Sequence, residues 1–186
     1  MNLNKLDKAI IFATERHSVY FRKGTDTPYI VHPLEVVSIA AGMTNNMDVL
    51  VAAVLHDVVE DTPTSLSEIE TEFGQKVAEL VASESEDKMV NTPPSESWKL
   101  RKEATINALQ SAVLNEKILV LSDKLSNIRA INRDYHRNGE KVWDRCNQKD
   151  KKMHEWYYRS IAGAISELAD HLAYQEFVGL IESTFG

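Results

Sequence analysis

The stretch Glu116–Ile131, "EKILVLSDKLSNIRAI", decides the fold class of this chain. Its front half, "KILVLS", holds the apolar run "ILVL" and is the one stretch of the chain that could be misread as a strand. No segment of the chain shows convincing alternation of period two, so the run is assigned to a helix and the class is expected to be all-α. A helix built on this run is mostly buried, which makes Asp123 conspicuous, because a carboxylate removed from water needs a partner. Lys124 is adjacent in sequence but points about 100° away around the helix.

The rest of the chain supplies similar material. Leu6, Ala9, Ile10 and Ala13 recur at helical spacing between Leu3 and His17, and Gly24 with Pro28 then marks a loop. An apolar segment from Leu34 to Ala41 ends at Gly42, and Asn46 suits the cap of a helix from Met47 to Asp61, closed by Thr62 and Pro63. Ser65 and Glu68 have capping-box spacing ahead of a short helix to Phe73, and Gln75 to Ser83 follows Gly74. Residues 83–97, "SESEDKMVNTPPSES", are polar, acidic and carry Pro93 and Pro94; in a compact domain such a loop serves more often as an active-site flap than as a linker. A helix from Trp98 to Leu114 precedes the opening stretch. Gly139 lies in a second polar loop, and Lys149 to Phe185 is one long or two broken helices. The expectation is one compact domain, 1–186, a bundle of about eight to ten helices, the size range in which a single core suffices.

Charge and cysteine content narrow the function. A net charge of −7 and a pI near 5.4 oppose attraction to nucleic acid or to an anionic membrane, so an anionic substrate must be met by local cations. Cys146 is the single cysteine, which excludes an intramolecular disulfide and a cysteine zinc cluster and fits a reducing cytoplasm. The N-terminal "MNLNKLDKAIIFATERHS" interrupts its apolar positions with charges, unlike a signal peptide or a membrane span. Oligomeric state is left open, a homo-oligomer included.

A second stretch carries the chemistry. "VLHDVVEDT", Val54 to Thr62, sets His56, Asp57, Glu60 and Asp61 on one side of a helix, with Val51, Val54, Leu55, Val58 and Val59 on the remaining arc. A solvated polar face would show the same geometry. Yet Asp57 and Asp61 are a like-charged pair, and no Lys or Arg lies between Val49 and Ser67. A bound metal would supply the missing cation. His32, in "PYIVHP", reads by itself as a buried histidine bonded to a backbone carbonyl. Together, His32, His56, Asp57 and Asp123 are a mixed nitrogen and oxygen set suited to Mn²⁺, Fe²⁺ or Zn²⁺ with positions left for water. Glu60, one turn after His56, would overhang the ion without binding it.

The ordered combination "RKGTDTPYIVHP", "VLHDVVEDT" and "LSDKLSN" resembles the HD-domain metal phosphohydrolases, and especially the stand-alone small alarmone hydrolases of the RelA/SpoT homologue family. That resemblance implies a helical fold binding one Mn²⁺ and hydrolysis of guanosine 3′,5′-bis(diphosphate), ppGpp, to GDP and pyrophosphate. By position it implies His32, His56, Asp57 and Asp123 as metal ligands and Glu60 and Asp61 as the catalytic acidic pair. It also implies Arg22 and Lys23 as phosphate contacts and Asn127 as a nucleoside contact. "LSDKLSN" departs from the "LADRLHN" of the long bifunctional enzymes, and "GTDT" from their loop, while the ligands are intact.

Arg101 and Lys102, within "WKLRK", are further candidate cations for the phosphates, and each also reads as a surface base. Tyr157, beside Trp156 and Tyr158, offers a purine-stacking ring or a core ring. The competing readings keep the metal site and change the substrate to (p)ppApp, NADPH or a nucleoside monophosphate, or make the protein an alarmone-binding module without catalysis. The acids Glu60 and Asp61 count against the last, since a sensor needs no activated water.

Overall fold

The computed structural model describes residues 3–85 and 93–186, and all of the regular structure among them is helical. Ten α-helices run α1 (Lys5–Arg16), α2 (Val31–Ala41), α3 (Met47–Leu55), α4 (Val58–Asp61), α5 (Leu66–Phe73), α6 (Gln75–Glu84), α7 (Pro94–Ser111), α8 (Leu114–Asn138), α9 (Lys151–Ala164) and α10 (Leu172–Phe185). Two 3₁₀ segments, Gly139–Arg145 and Ser166–Leu168, lie between α8 and α10. The all-α expectation holds, and "KILVLS" is inside the longest helix. The middle of the expected flap, residues 86–92, lies outside the described residues.

The chain divides into two compact units, Met1–Ser85 with Leu114–Asp123, and Glu86–Val113 with Lys124–Gly186. In the first, α3 is the central element, packed against α1, α2 and α6. Val49 and the run Val51 to Leu55 are fully buried there, which is why α3 is apolar all round rather than on one stripe. Its start is set by Asn46, whose side chain accepts a hydrogen bond from the Asp48 amide at 3.0 Å. Ser65 caps α5 in the same way through the Glu68 amide, and Gly74, at φ 87°, makes the turn into α6 that a side chain would strain. In the second unit α9 packs on α7 and α10. Its core is aromatic, with Trp143 stacked on His154 and on Phe185 at centroid distances of 4.8 and 5.9 Å.

Several boundaries differ from the sequence expectation. Helix α2 begins at Val31, three residues earlier than Leu34, because Pro33 sits in the first turn, where the missing N–H has no intrahelical partner to lose. Pro94 likewise opens α7 well ahead of Trp98. Helix α8 continues past Ile131 to Asn138, and the loop at Gly139 is a 3₁₀ helix begun by that glycine at φ 59°. The segment after Lys149 is broken, as one of the two expected forms had it. The most consequential difference is at residues 47–61: α3 ends at Leu55, His56 and Asp57 form a turn, and α4 restarts for one turn.

Candidate metal centre

That turn delivers His56 and Asp57 to one point in the first unit. His56 is 2% exposed, and its Nδ1 lies 2.9 Å from the carbonyl oxygen of Ala53 in the last turn of α3. A carbonyl at a helix end has no amide to accept from, and an imidazole N–H fills that need. With the proton on Nδ1, the Nε2 lone pair faces away from the helix. Opposite it stands Nε2 of His32, from the first turn of α2, at 3.3 Å. Oδ2 of Asp57 lies 3.0 Å from His56 Nε2 and 3.4 Å from His32 Nε2. Oδ1 of Asp123, projecting from the buried run of α8, lies 3.1 Å from His32 Nε2 and 3.6 Å from His56 Nε2.

The spacings among His32, His56 and Asp57 fit one shared ion. Donors each about 2.1 Å from a cation stand about 3.0–3.4 Å apart in octahedral or tetrahedral arrangements. His32, His56 and Asp57 by themselves place their donor atoms within 4.8 Å of one another, and two imidazoles with two carboxylates are a donor set for a divalent metal. Two ring nitrogens aimed at each other in a buried space would otherwise have to share a proton. Burial works against charge on His56, but Asp57 and Asp123 overcome it and hold its pKa well above the usual histidine range. Burial likewise raises Asp57, and the His56 and His32 rings outweigh that to hold it well below the usual carboxylate range. Without a metal, then, His56 and Asp57 favour each other's charged forms.

Glu60 and Asp61 occupy α4, directly after the turn, and both are half-buried. The Asp61 amide donates to the Asp57 carbonyl at 2.9 Å, so the short helix hangs from a residue of the cluster. Arg22 lies in the loop before α2, which is closed by a bridge between Phe21 and Pro28 and by the Arg22 amide donating to the Thr27 carbonyl at 2.9 Å. Its guanidinium sits over the Tyr29 ring, 5.6 Å from the centroid. Lys23, next to it, is exposed.

Tyr29 was not among the residues singled out in the sequence. Its hydroxyl donates to Asp57 Oδ2 at 2.6 Å, and burial with the charges of Asp57 and Asp61 holds the phenol protonated far above its usual range. The only signal in the sequence is position: it stands three residues, about one helical turn, before His32.

The remaining candidates are in the second unit. Asn127 is half-buried on α8, and Arg101 and Lys102 are half-buried on α7. The Lys102 ammonium lies 4.9 Å from the centroid of the Tyr157 ring. Tyr157 is 4% exposed and packs against Trp98 and Tyr158 at 6.0 and 5.7 Å, the surroundings of a core ring rather than of an open stacking surface.

Two buried histidines outside the ligand set give the fold a pH dependence. Burial lowers the pKa of His17, with Asp57 opposing and His56 and His32 adding to it. Burial also lowers His154, opposed by its contact to the Gln148 carbonyl. Both take up a proton less readily in the folded than in the unfolded chain, so as pH falls below about 6.5 stability falls, by up to about 1.4 kcal/mol per pH unit for each proton. His56 has the opposite sign: its contribution is complete below about pH 6.5 and is lost as pH rises through its raised folded value. Thermal melts of the metal-free protein should therefore peak near pH 6.5 and decline on both sides. A melting temperature that rose steadily from pH 6.5 to 9 would contradict this assignment.

Comparison with known proteins agrees with the geometry. The HD domain family matches residues 9–149 of the chain. The guanosine-3′,5′-bis(diphosphate) 3′-pyrophosphohydrolase MESH1 of Homo sapiens is 41% identical over 133 residues, which are 69% of this chain and 70% of that one. The protein of the same name from Xenopus tropicalis is 41% identical over 129 residues, 68% and 69% of the two chains. A solved structure described as a metazoan SpoT orthologue that hydrolyses ppGpp superposes with a TM-score of 0.76 at 24% identity, covering 98% of this chain and 96% of that one, which shows the common fold. No described helix is long and apolar enough to cross a membrane. A buried His, His, Asp cluster assembled at a helix break, in a chain matched this far along its length, makes this protein a member of the HD domain family and a homologue of the small 3′-pyrophosphohydrolases.

Proposed function

We propose that this protein hydrolyses ppGpp, and pppGpp, at the 3′ position, giving GDP or GTP and pyrophosphate, with one Mn²⁺ held by His32, His56, Asp57 and Asp123. The observation that carries the reading is the convergence of His32, His56 and Asp57, with Asp123 beside both imidazoles, in a chain 41% identical over about 130 residues to named 3′-pyrophosphohydrolases. The match over residues 9–149 runs through both compact units, which supports treating 1–186 as one hydrolase domain. The lone Cys146 supports a reducing cytoplasm as the place of action.

A bound divalent ion supplies positive charge that offsets the phosphate oxygens and makes a water acidic near neutral pH. The chain's own residues do the rest. Glu60, one turn beyond the ligands, accepts the proton of the attacking water. Asp61 orients that water or the leaving group. Arg22 and Lys23 neutralise the diphosphate in a protein whose net charge of −7 otherwise repels it. On the sequence reading, Asn127 is the nucleoside contact and Arg101 and Lys102 are additional phosphate contacts. Tyr157 acts through Lys102, whose ammonium it carries.

The test is to incubate the purified protein with Mn²⁺ and, separately, ppGpp, pppGpp, ppApp, NADPH and dAMP, and to resolve the products. Pyrophosphate from ppGpp supports the reading. Phosphate from NADPH or dAMP moves the substrate elsewhere, and binding without turnover makes the protein a sensor. In the same assay Arg22→Ala should raise the KM for ppGpp about tenfold or more, the loss of one charge-assisted phosphate contact, while Mn²⁺ affinity stays within about twofold. An unchanged KM would remove Arg22 from the phosphate site.

A further inference from the structure

Asp57 offers its two oxygens unequally. Oδ2 faces both imidazole nitrogens, at 3.0 and 3.4 Å, and the same Oδ2 accepts the Tyr29 hydroxyl at 2.6 Å. From the hydrogen-bond geometry we infer that Tyr29 is a positioning residue, which fixes Asp57 as a one-oxygen metal ligand through Oδ2. The inference rests on the metal-centre reading above and adds a residue to it.

Three features support the role. First, the phenol is itself held in place: its ring packs on the buried His17 ring at 4.8 Å on one side and lies under the Arg22 guanidinium at 5.6 Å. His17 is 2% exposed and neither ring nitrogen has a hydrogen-bond partner, so it serves here as a flat packing surface rather than as a polar group. Second, the backbone fixes Tyr29 as well, because its amide donates to the Tyr20 carbonyl at 2.9 Å and its carbonyl accepts from the His32 amide at 3.0 Å. One tyrosine is thus tied to two ligands, His32 through the main chain and Asp57 through the side chain. Third, Asp57 stands in the turn between α3 and α4, where no continuous helix holds the side chain in register. An external donor supplies the constraint that the broken helix lacks. A donor on a coordinating oxygen also leaves that oxygen less free to rotate away, and such outer contacts typically matter about 10- to 100-fold in affinity or activity.

Tyr29→Phe removes the hydroxyl and keeps the ring between His17 and Arg22. Titrating Mn²⁺ calorimetrically into the metal-free protein should show a Kd raised about tenfold by the substitution, with kcat reduced three- to tenfold at saturating Mn²⁺ and KM for ppGpp within about twofold. A merely structural tyrosine would instead lower the melting temperature of the metal-free protein with the metal Kd unmoved. The cycle with Asp57→Ala makes the distinction independent of folding: in that background Tyr29→Phe should leave the residual Mn²⁺ affinity unchanged. A Kd for Tyr29→Phe within twofold of the unsubstituted protein, or an equal loss in both backgrounds, overturns the inference. Failure of the unsubstituted protein to bind Mn²⁺ would overturn the metal-centre reading first. Binding without ppGpp hydrolysis would count only against the proposed reaction, and the raised Kd would still support the role of Tyr29.

Discussion

Asp123→Ala should abolish tight Mn²⁺ binding and reduce ppGpp hydrolysis by about 10³-fold or more. The size follows from what the carboxylate does: it faces both imidazole nitrogens, at 3.1 and 3.6 Å, from a position 5% exposed on α8. Charge stabilisation by a bound ion is worth several kcal/mol, and each 1.4 kcal/mol lost is about tenfold in rate. The same α8 run buries Leu119, Leu121, Leu125 and Ile128 completely, so the helix itself should survive removal of one carboxylate. Metal titration, ppGpp turnover and a melting curve on one preparation would check the three claims together. Retained Mn²⁺ affinity would show that the cluster binds metal without Asp123.

Glu60→Gln should separate chemistry from binding. If Glu60 takes the proton of the attacking water, its amide replacement should lower kcat by about 10²–10⁴-fold, the usual contribution of a general base, with Mn²⁺ affinity and KM within a few-fold. The physical ground is the position of Glu60 on α4, one turn past Asp57, on a segment that begins after the ligand pair. Asp57→Ala should lose most of the Mn²⁺ affinity, keeping a weak residual binding, and the activity should fall with it. Were Glu60→Gln to lose the metal as completely, the division between ligands and base would be wrong.

Much of this was legible from the residues, and the exceptions are instructive. The helical class followed from the absence of period-two patterning, and the caps at Asn46 and Ser65 were readable because a cap is a local side-chain-to-amide bond. His32, His56, Asp57 and Asp123 stood out because each interrupts an apolar run. The break at His56–Asp57 was not legible: Met47 to Asp61 has neither Gly nor Pro, and the turn there is stabilised by the His56 ring and its surroundings rather than by a local breaker. Helix α8 was read too short for a similar reason, since "NRDYHRN" is polar enough to suggest a loop, whereas Asp134 is held on the helix by Arg145 at 2.6 Å. Tyr29 escaped notice because a tyrosine beside a proline in a loop is unremarkable until its hydroxyl is seen on Asp57. The ring of Tyr157 could be read as stacking surface or core from spacing alone, and its burial is not visible in the sequence.

The His56 side chain ends a helix with one nitrogen and presents a lone pair with the other. In the proposed metal centre, position 56 therefore carries two duties at once. An asparagine or glutamine could satisfy the Ala53 carbonyl but would offer a poor donor to the ion, while a cysteine or carboxylate could bind the ion but would leave the carbonyl without its N–H. In that site, replacing His56 would remove a helix-end contact and a proposed ligand in one step.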